Sequence, residues 1–122
     1  MANDALPFYQ VNGAKTYEQE KIYIEGIKNS YQVATHFYSN GNSELVYFSH
    51  GYLDNCGYTK PYIRFFLENG YDVFCSELPG HGLSTGSRGD IDDFNSYKVV
   101  VHEVLRFLPS HYSKYHFVGH ST

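Results

Sequence analysis

The sequence predicts an α/β fold: an antiparallel N-terminal hairpin followed by parallel strands joined by crossover helices. Three observations carry this expectation. Two β-rich runs lie close together in the first forty residues. Three short, mainly apolar runs follow, each the length of a strand. Two helix candidates, both bounded by terminal signals and the second with an apolar stripe at helical spacing, separate those runs.

The hairpin comes first. Lys21 to Ile27 alternates, with Ile22 and Ile24 on one side, and reads as a strand. Lys28-Asn29-Ser30 is a turn signal, and Gln32 to Tyr38 is a second β-rich run. So short a gap favours an antiparallel pair. The first dozen residues show no clear period and are expected to form an arm.

Asn40-Gly41-Asn42 is a further turn. The runs Leu45-Val46-Tyr47-Phe48-Ser49, Tyr71-Asp72-Val73-Phe74-Cys75 and Tyr115-His116-Phe117-Val118 suit strands buried on both faces, as in a parallel sheet. Thr59 can cap the first helix, Pro61 fits its opening turn, and Asn69-Gly70 ends it. The second helix is expected from about Asp92 to Leu108. Phe94, Tyr97, Val101, Val104 and Leu108 form its apolar stripe. Asp90, Asp92 and Asp93 favour its N-terminus through the helix dipole, and Pro109 stops it. The order is hairpin, strand, helix, strand, helix, strand, which implies right-handed crossovers. No repeat, low-complexity tract or linker interrupts it, so residues 1–122 are expected to be a single domain.

Composition agrees with a packed domain. The chain has 122 residues, 42% of them hydrophobic, and a chain this long buries roughly two-thirds of its unfolded surface. Thirteen Tyr and nine Phe with no Trp mean that much of the apolar surface carries a hydroxyl needing a partner. The net charge is −4 with no Lys/Arg block, which argues against a nucleic-acid partner. Met1 to Gln10 has neither a cationic start nor an apolar run, and no stretch reaches the roughly 20 apolar residues of a membrane span. A cytoplasmic protein is expected on those grounds. Cys56 and Cys75 match no zinc or redox spacing. Two free thiols in a reducing compartment are expected, with a disulfide between them as the alternative. No metal and no cofactor is implied.

Each of the three apolar runs leads into an unusual loop. Ser49-His50-Gly51-Tyr52 follows the first. Glu77-Leu78-Pro79-Gly80-His81-Gly82-Leu83-Ser84-Thr85-Gly86 follows the second. Gly119-His120-Ser121-Thr122 follows the third. Ligands in open α/β sheets bind beyond the carboxyl ends of the strands, and all three loops lie on that edge. A serine on a sharp strand-to-helix turn is a nucleophile elbow: strain lifts its hydroxyl clear of the sheet, and its neighbours must be small. Gly119 supplies one small neighbour for Ser121. Gly82-Leu83-Ser84-Thr85-Gly86 matches Gly-x-Ser-x-Gly letter for letter, but Ser84 has loop residues on both sides. Ser121 follows a strand pattern, so context selects Ser121. His50 and His81 are expected to bond to backbone, and Gly51, Gly80 and Gly82 to permit tight turns.

Together these three blocks resemble the α/β-hydrolase family, in its monoglyceride lipase and lysophospholipase branch. The likeness covers residues 45 to 122 and looks like the N-terminal part of such a fold. Glu77 departs from it, since the family more often shows Asp there; the change is expected to be harmless. The resemblance implies that Ser121 attacks an ester carbonyl and forms an acyl-enzyme. It implies oxyanion donors at the backbone N–H of Thr122 and of Tyr52. It also implies that the strand ending at Ser49 lies beside the strand ending at Val118.

In this family the acid and the histidine of the triad follow the serine in the chain, and only Thr122 follows Ser121 here. The chain is therefore expected to be an incomplete domain, inert by itself, with its last strand an unpaired edge that makes it hard to keep soluble. The substrate expected of the parent enzyme is a small lipid or ester, which allows peripheral contact with a membrane. One alternative is a truncated, non-catalytic module used for binding or dimerisation. A dehalogenase or epoxide hydrolase is a second, but those place Asp at the nucleophile position.

Overall fold

The computed structural model describes residues 9–25, 30–49, 59–77 and 95–119. Its elements are β1 (Thr16–Glu25), β2 (Ser30–Ser39), β3 (Glu44–Ser49), α1 (Lys60–Glu68), β4 (Asp72–Ser76), α2 (Asn95–Leu105) and β5 (Lys114–Gly119). The strands form one sheet in the order β1-β2-β4-β3-β5. β1 and β2 are antiparallel, as are β2 and β4, whereas β3 runs parallel to both β4 and β5. The predicted fold class is therefore present, with the antiparallel pair at one side of a parallel set.

The hairpin ladder runs from Thr16↔Ser39 to Glu25↔Ser30. β1 starts earlier than the alternation of Ile22 and Ile24 suggests. In its first half, Thr16 to Glu20, only Tyr17 packs against the core while Thr16, Glu18 and Glu20 stay in solvent, so no run of apolar residues marks it. Ile22 and Ile24 point inward and are buried. The turn expected at Lys28-Asn29 lies outside the described residues.

β3 and β4 are buried on both faces, as their apolar runs predict. Successive side chains divide between two cores. Val46, Phe48, Val73 and Cys75 pack with Ile63 and Leu67 of α1. Leu45, Tyr47 and Phe74 pack with Val104 of α2. The helices thus cover opposite faces. The step from β3 to β4 goes one way along the sheet, and the step from β4 to β5 goes back past β3. Crossovers of one hand place their helices on opposite faces when the direction reverses.

β5 is an edge strand, as expected of the last strand, but it is not buried on both faces as its apolar run suggested. Among the described residues it pairs with β3 alone, at the sheet's edge, and Phe117 is 63% exposed. Its apolar run belongs to an edge strand rather than to one buried on both faces.

Both helices end as local chemistry dictates. In α1, Pro61 lies in the first turn after Thr59, and Asn69 is the C-cap. Gly70 follows with φ +88°, the left-handed conformation that glycine adopts without penalty. The N–H of Gly70 donates to the carbonyl of Leu67, and that of Tyr71 to Phe66, which is the Schellman pattern. α2 ends at Leu105, short of the expected Leu108. Arg106, Phe107 and Leu108 each donate to the carbonyl three residues back, so the chain tightens ahead of Pro109. Within the expected stripe, Val104 is buried, and Val101 and Leu108 are half-buried against the same core. Phe94 lies outside the described residues.

The N-terminal arm also needs correction. Tyr9 and Val11 are core residues, and the Tyr38 hydroxyl donates to the Tyr9 carbonyl at 2.6 Å. An aperiodic segment can still pack when single side chains fill a gap, and periodicity does not detect that.

Candidate active site

Three strands end together on the carboxyl edge of the sheet. Ser49, the last residue of β3, pairs with Ser76 of β4 on one side and Gly119 of β5 on the other. Adjacent strands lie about 5 Å apart, so Ser49 and Gly119 start their two loops as close neighbours. The implied adjacency of β3 and β5 is therefore present. Ser121, Tyr52 and Thr122 lie outside the described residues, as do His50, Gly51, Pro79 to Gly86 and His120. The strand ends from which their segments depart are described.

The edge is polar beneath those ends. The Tyr47 hydroxyl and Ser76 Oγ are 2.6 Å apart. Burial pushes the Tyr47 hydroxyl above its usual value, only partly offset by the bond to Ser76, so it stays neutral. Glu77, directly after β4, is fully buried. The Tyr9 hydroxyl donates to its Oε2 at 2.8 Å, and His36 Nε2 lies 2.8 Å from its Oε1. His36 is buried in the middle of β2, and its Nδ1 lies 2.7 Å from the Tyr17 hydroxyl. Sequence reasoning missed this group. The available signal was a histidine on β2 one alternation step from Ala34 and from Tyr38.

An apolar hollow of about 230 Å³ lies between α2 and the ends of β3 and β5. Tyr47, Val101, Leu105, Phe117 and Val118 line it beside Ser49 and Gly119.

The opposite end of β4 holds a second polar centre. Asp72 is fully buried and accepts hydrogen bonds from the backbone of Asn40 at 2.9 Å, Ser39 Oγ at 3.0 Å, Asn42 Nδ2 at 3.0 Å and the Tyr112 hydroxyl at 2.5 Å. Burial raises its pKa, but these donors outweigh burial and leave the carboxyl below its usual value. Asp72 ties the β2–β3 turn to the segment before β5, far from the carboxyl edge.

The expectation of two free thiols is overturned: Cys75 is disulfide-bonded and fully buried. Sequence spacing does not reveal spatial approach. Thr59, just before α1, is buried, and Ile63 of α1 shares a core with Cys75. Cys56, the other cysteine of the sequence, lies outside the described residues. Among the described residues no three His, Cys, Asp or Glu side chains converge as metal ligands, and no helix is long and apolar enough to cross a membrane.

The strand order, the helices on opposite faces and the three strand ends aligned at one carboxyl edge define an α/β-hydrolase fold. Residues 41–122 match the Hydrolase_4 family, described as serine aminopeptidase, S33, and the chain belongs to that family. Similar folds occur in an esterase of Pyrococcus furiosus, at 23% identity and TM-score 0.60, covering 84% of this chain and 42% of the esterase. A probable hydrolytic enzyme of Pseudomonas aeruginosa gives 17% identity and TM-score 0.69, covering 87% of this chain and 34% of that one. The Cif epoxide hydrolase of Acinetobacter nosocomialis gives 16% identity and TM-score 0.59, covering 98% and 35%. The chain thus spans less than half the length of each of these structures. No curated protein sequence matches it significantly.

Proposed function

We propose that the protein is a serine carboxylester hydrolase of the monoglyceride lipase and lysophospholipase kind, with Ser121 as nucleophile. The observation that supports this most is the in-register end of β3 and β5 at Ser49 and Gly119 in a Hydrolase_4 member. Tyr52 is three residues beyond the first end, and Ser121 two beyond the second.

In this reading Ser121 Oγ attacks the ester carbonyl as its proton passes to a general base. The carbonyl oxygen becomes an oxyanion held by the N–H groups of Tyr52 and Thr122. The C–O bond then breaks, the alcohol leaves with a proton, and water releases the acid from the acyl-enzyme. Two of the chain's histidines are already committed elsewhere: His36 to Glu77 and Tyr17, and His116 to Glu44 at 2.7 Å. The base and its orienting acid belong, by the family's chain order, after the serine. A small lipid or ester substrate fits this chemistry, and a lipid substrate brings peripheral membrane contact with it.

The test is covalent labelling of the full-length protein with a fluorophosphonate, with the adduct located by peptide mapping. The expected adduct is on Ser121, lost in Ser121→Ala and retained in Ser84→Ala, alongside turnover of p-nitrophenyl esters. An adduct on Ser84, or full turnover by Ser121→Ala, overturns the assignment. Absence of both labelling and turnover supports the alternative of a non-catalytic module. The 122-residue chain alone is expected to turn over no better than its Ser121→Ala variant.

A further inference from the structure

Burying a carboxylate is costly unless its oxygens are hydrogen-bonded. Glu77 meets that condition with partners drawn from elements outside the proposed chemistry. Tyr9, ahead of β1, donates to Oε2, and His36 of β2 stands at Oε1, each at 2.8 Å. The Tyr9 ring stacks on His36 with centroids 4.2 Å apart, and Tyr17 of β1 lies at 5.9 Å from the same ring. Burial, and then the charge of Glu77, hold the Tyr17 hydroxyl well above its usual pKa. Tyr17 therefore keeps its proton, and its hydroxyl lies 2.7 Å from His36 Nδ1, the ring nitrogen that does not face Glu77. The backbone of Glu77 is fixed as well, its N–H donating to the Ala34 carbonyl at 2.9 Å.

The length of the Glu77 side chain matters. In the β2–β4 ladder His36 stands opposite Cys75, and Glu77 is two residues farther along on the same face. Such diagonal neighbours meet only through long side chains. Aspartate would withdraw the carboxylate by about 1.5 Å, one C–C bond, and stretch a 2.8 Å contact beyond hydrogen-bond range.

We propose that Glu77, clamped by Tyr9 and His36, is a positioning residue that fastens the start of the connection after β4 at the carboxyl edge. The next residue, Leu78, opens the segment that carries His81 and Ser84. The hairpin and the segment before it thereby anchor the end of β4, where the chain leaves the sheet on the carboxyl edge shared with Ser49 and Gly119. The catalytic consequence rests on the reading of Ser121 above, whereas the fastening does not.

Hydrogen exchange read by mass spectrometry on the full-length protein tests the fastening directly. In Glu77→Asp and in Tyr9→Phe, peptides spanning 78–86 should exchange about tenfold faster, as the loss of one buried hydrogen bond implies. Peptides of β3 should be unchanged. Glu77→Gln keeps the length and one acceptor oxygen but turns the other into an NH2 donor, so it should restore only part of the protection. The ester kcat should fall in Glu77→Asp with KM little altered. Exchange at 78–86 equal to wild type in both variants overturns the proposal, as does a uniform acceleration across all strands. Should Glu77→Asp fail to fold, Tyr9→Phe, which removes one hydroxyl, decides alone. Fluorophosphonate labelling at Ser121 is scored separately, so a failure of the proposed reaction does not pass for a failure of the fastening.

Discussion

Ser49 and Gly119 face each other at the last rung of the parallel ladder between β3 and β5. Their loops leave the sheet from neighbouring points, with the proposed oxyanion donor on one and the nucleophile on the other. Because the donor is a backbone N–H, the Tyr52 side chain should matter little. Tyr52→Ala should keep kcat within a few-fold, whereas Tyr52→Pro, which removes the N–H, should lower it by about 10²–10³. Steady-state ester kinetics on the full-length protein check this. Equal losses in the two variants would show that the side chain, and not the amide, acts.

Cys75 predicts a measurable cross-link. The sequence holds two cysteines, and the described one is not free, so the expected bond joins Cys75 to Cys56. Thiol titration in denaturant without reductant should find none, and intact mass should rise by about two hydrogens on reduction. Loss of the bond should destabilise the fold by about 3 kcal/mol, as for a loop of roughly twenty residues. Urea unfolding with and without reductant measures that difference, and two titratable thiols would refute the bond.

Asp72 predicts acid sensitivity of known sign. Its folded pKa lies below the ordinary 3.8, so the unfolded chain binds its proton first as pH falls. The stability it contributes is complete above 3.8 and is lost as pH drops through the folded value. Asp72→Asn should be less stable than wild type at neutral pH by about 1–3 kcal/mol, with a shallower decline below about pH 4. Denaturant melts across pH read both. Parallel acid limbs in the two proteins would show that Asp72 is not the group responsible.

Phe117 predicts association of the isolated chain. It stands 63% exposed on an edge strand whose outer side has no partner among the described residues. Open edges with apolar side chains recruit other chains, and charges suppress this. Phe117→Lys should raise the soluble, monomeric fraction of the 122-residue chain in size-exclusion chromatography, at little cost to thermal stability. An unchanged elution profile would place the association elsewhere.

Much of the fold was legible in the sequence because local rules govern it. Pro61, Asn69 and Gly70 bound α1 by backbone conformation alone, and β3 and β4 declare two buried faces through short, mainly apolar runs. β5 carries the same kind of run yet lies on an edge, because burial depends on which strands stand beside it. β1 is longer than its pattern, because ladder hydrogen bonds need no apolar side chains. Of the site, the sequence indicated the loops and a choice between two serines on strand context.

The sequence by itself determined the order of elements, the ends of α1 and the Gly119-His120-Ser121-Thr122 block that motivates the serine chemistry. Each depends on neighbours within a few residues, where backbone sterics and periodicity act. Only the tertiary structure decided that Ser49 and Gly119 meet, that Cys75 is bonded, and that Tyr9 and His36 enclose Glu77. The strand-end and Glu77 relations join residues 41 to 70 positions apart. They arise from sheet order and burial, where the cost of an unpaired polar group selects partners that no local pattern specifies.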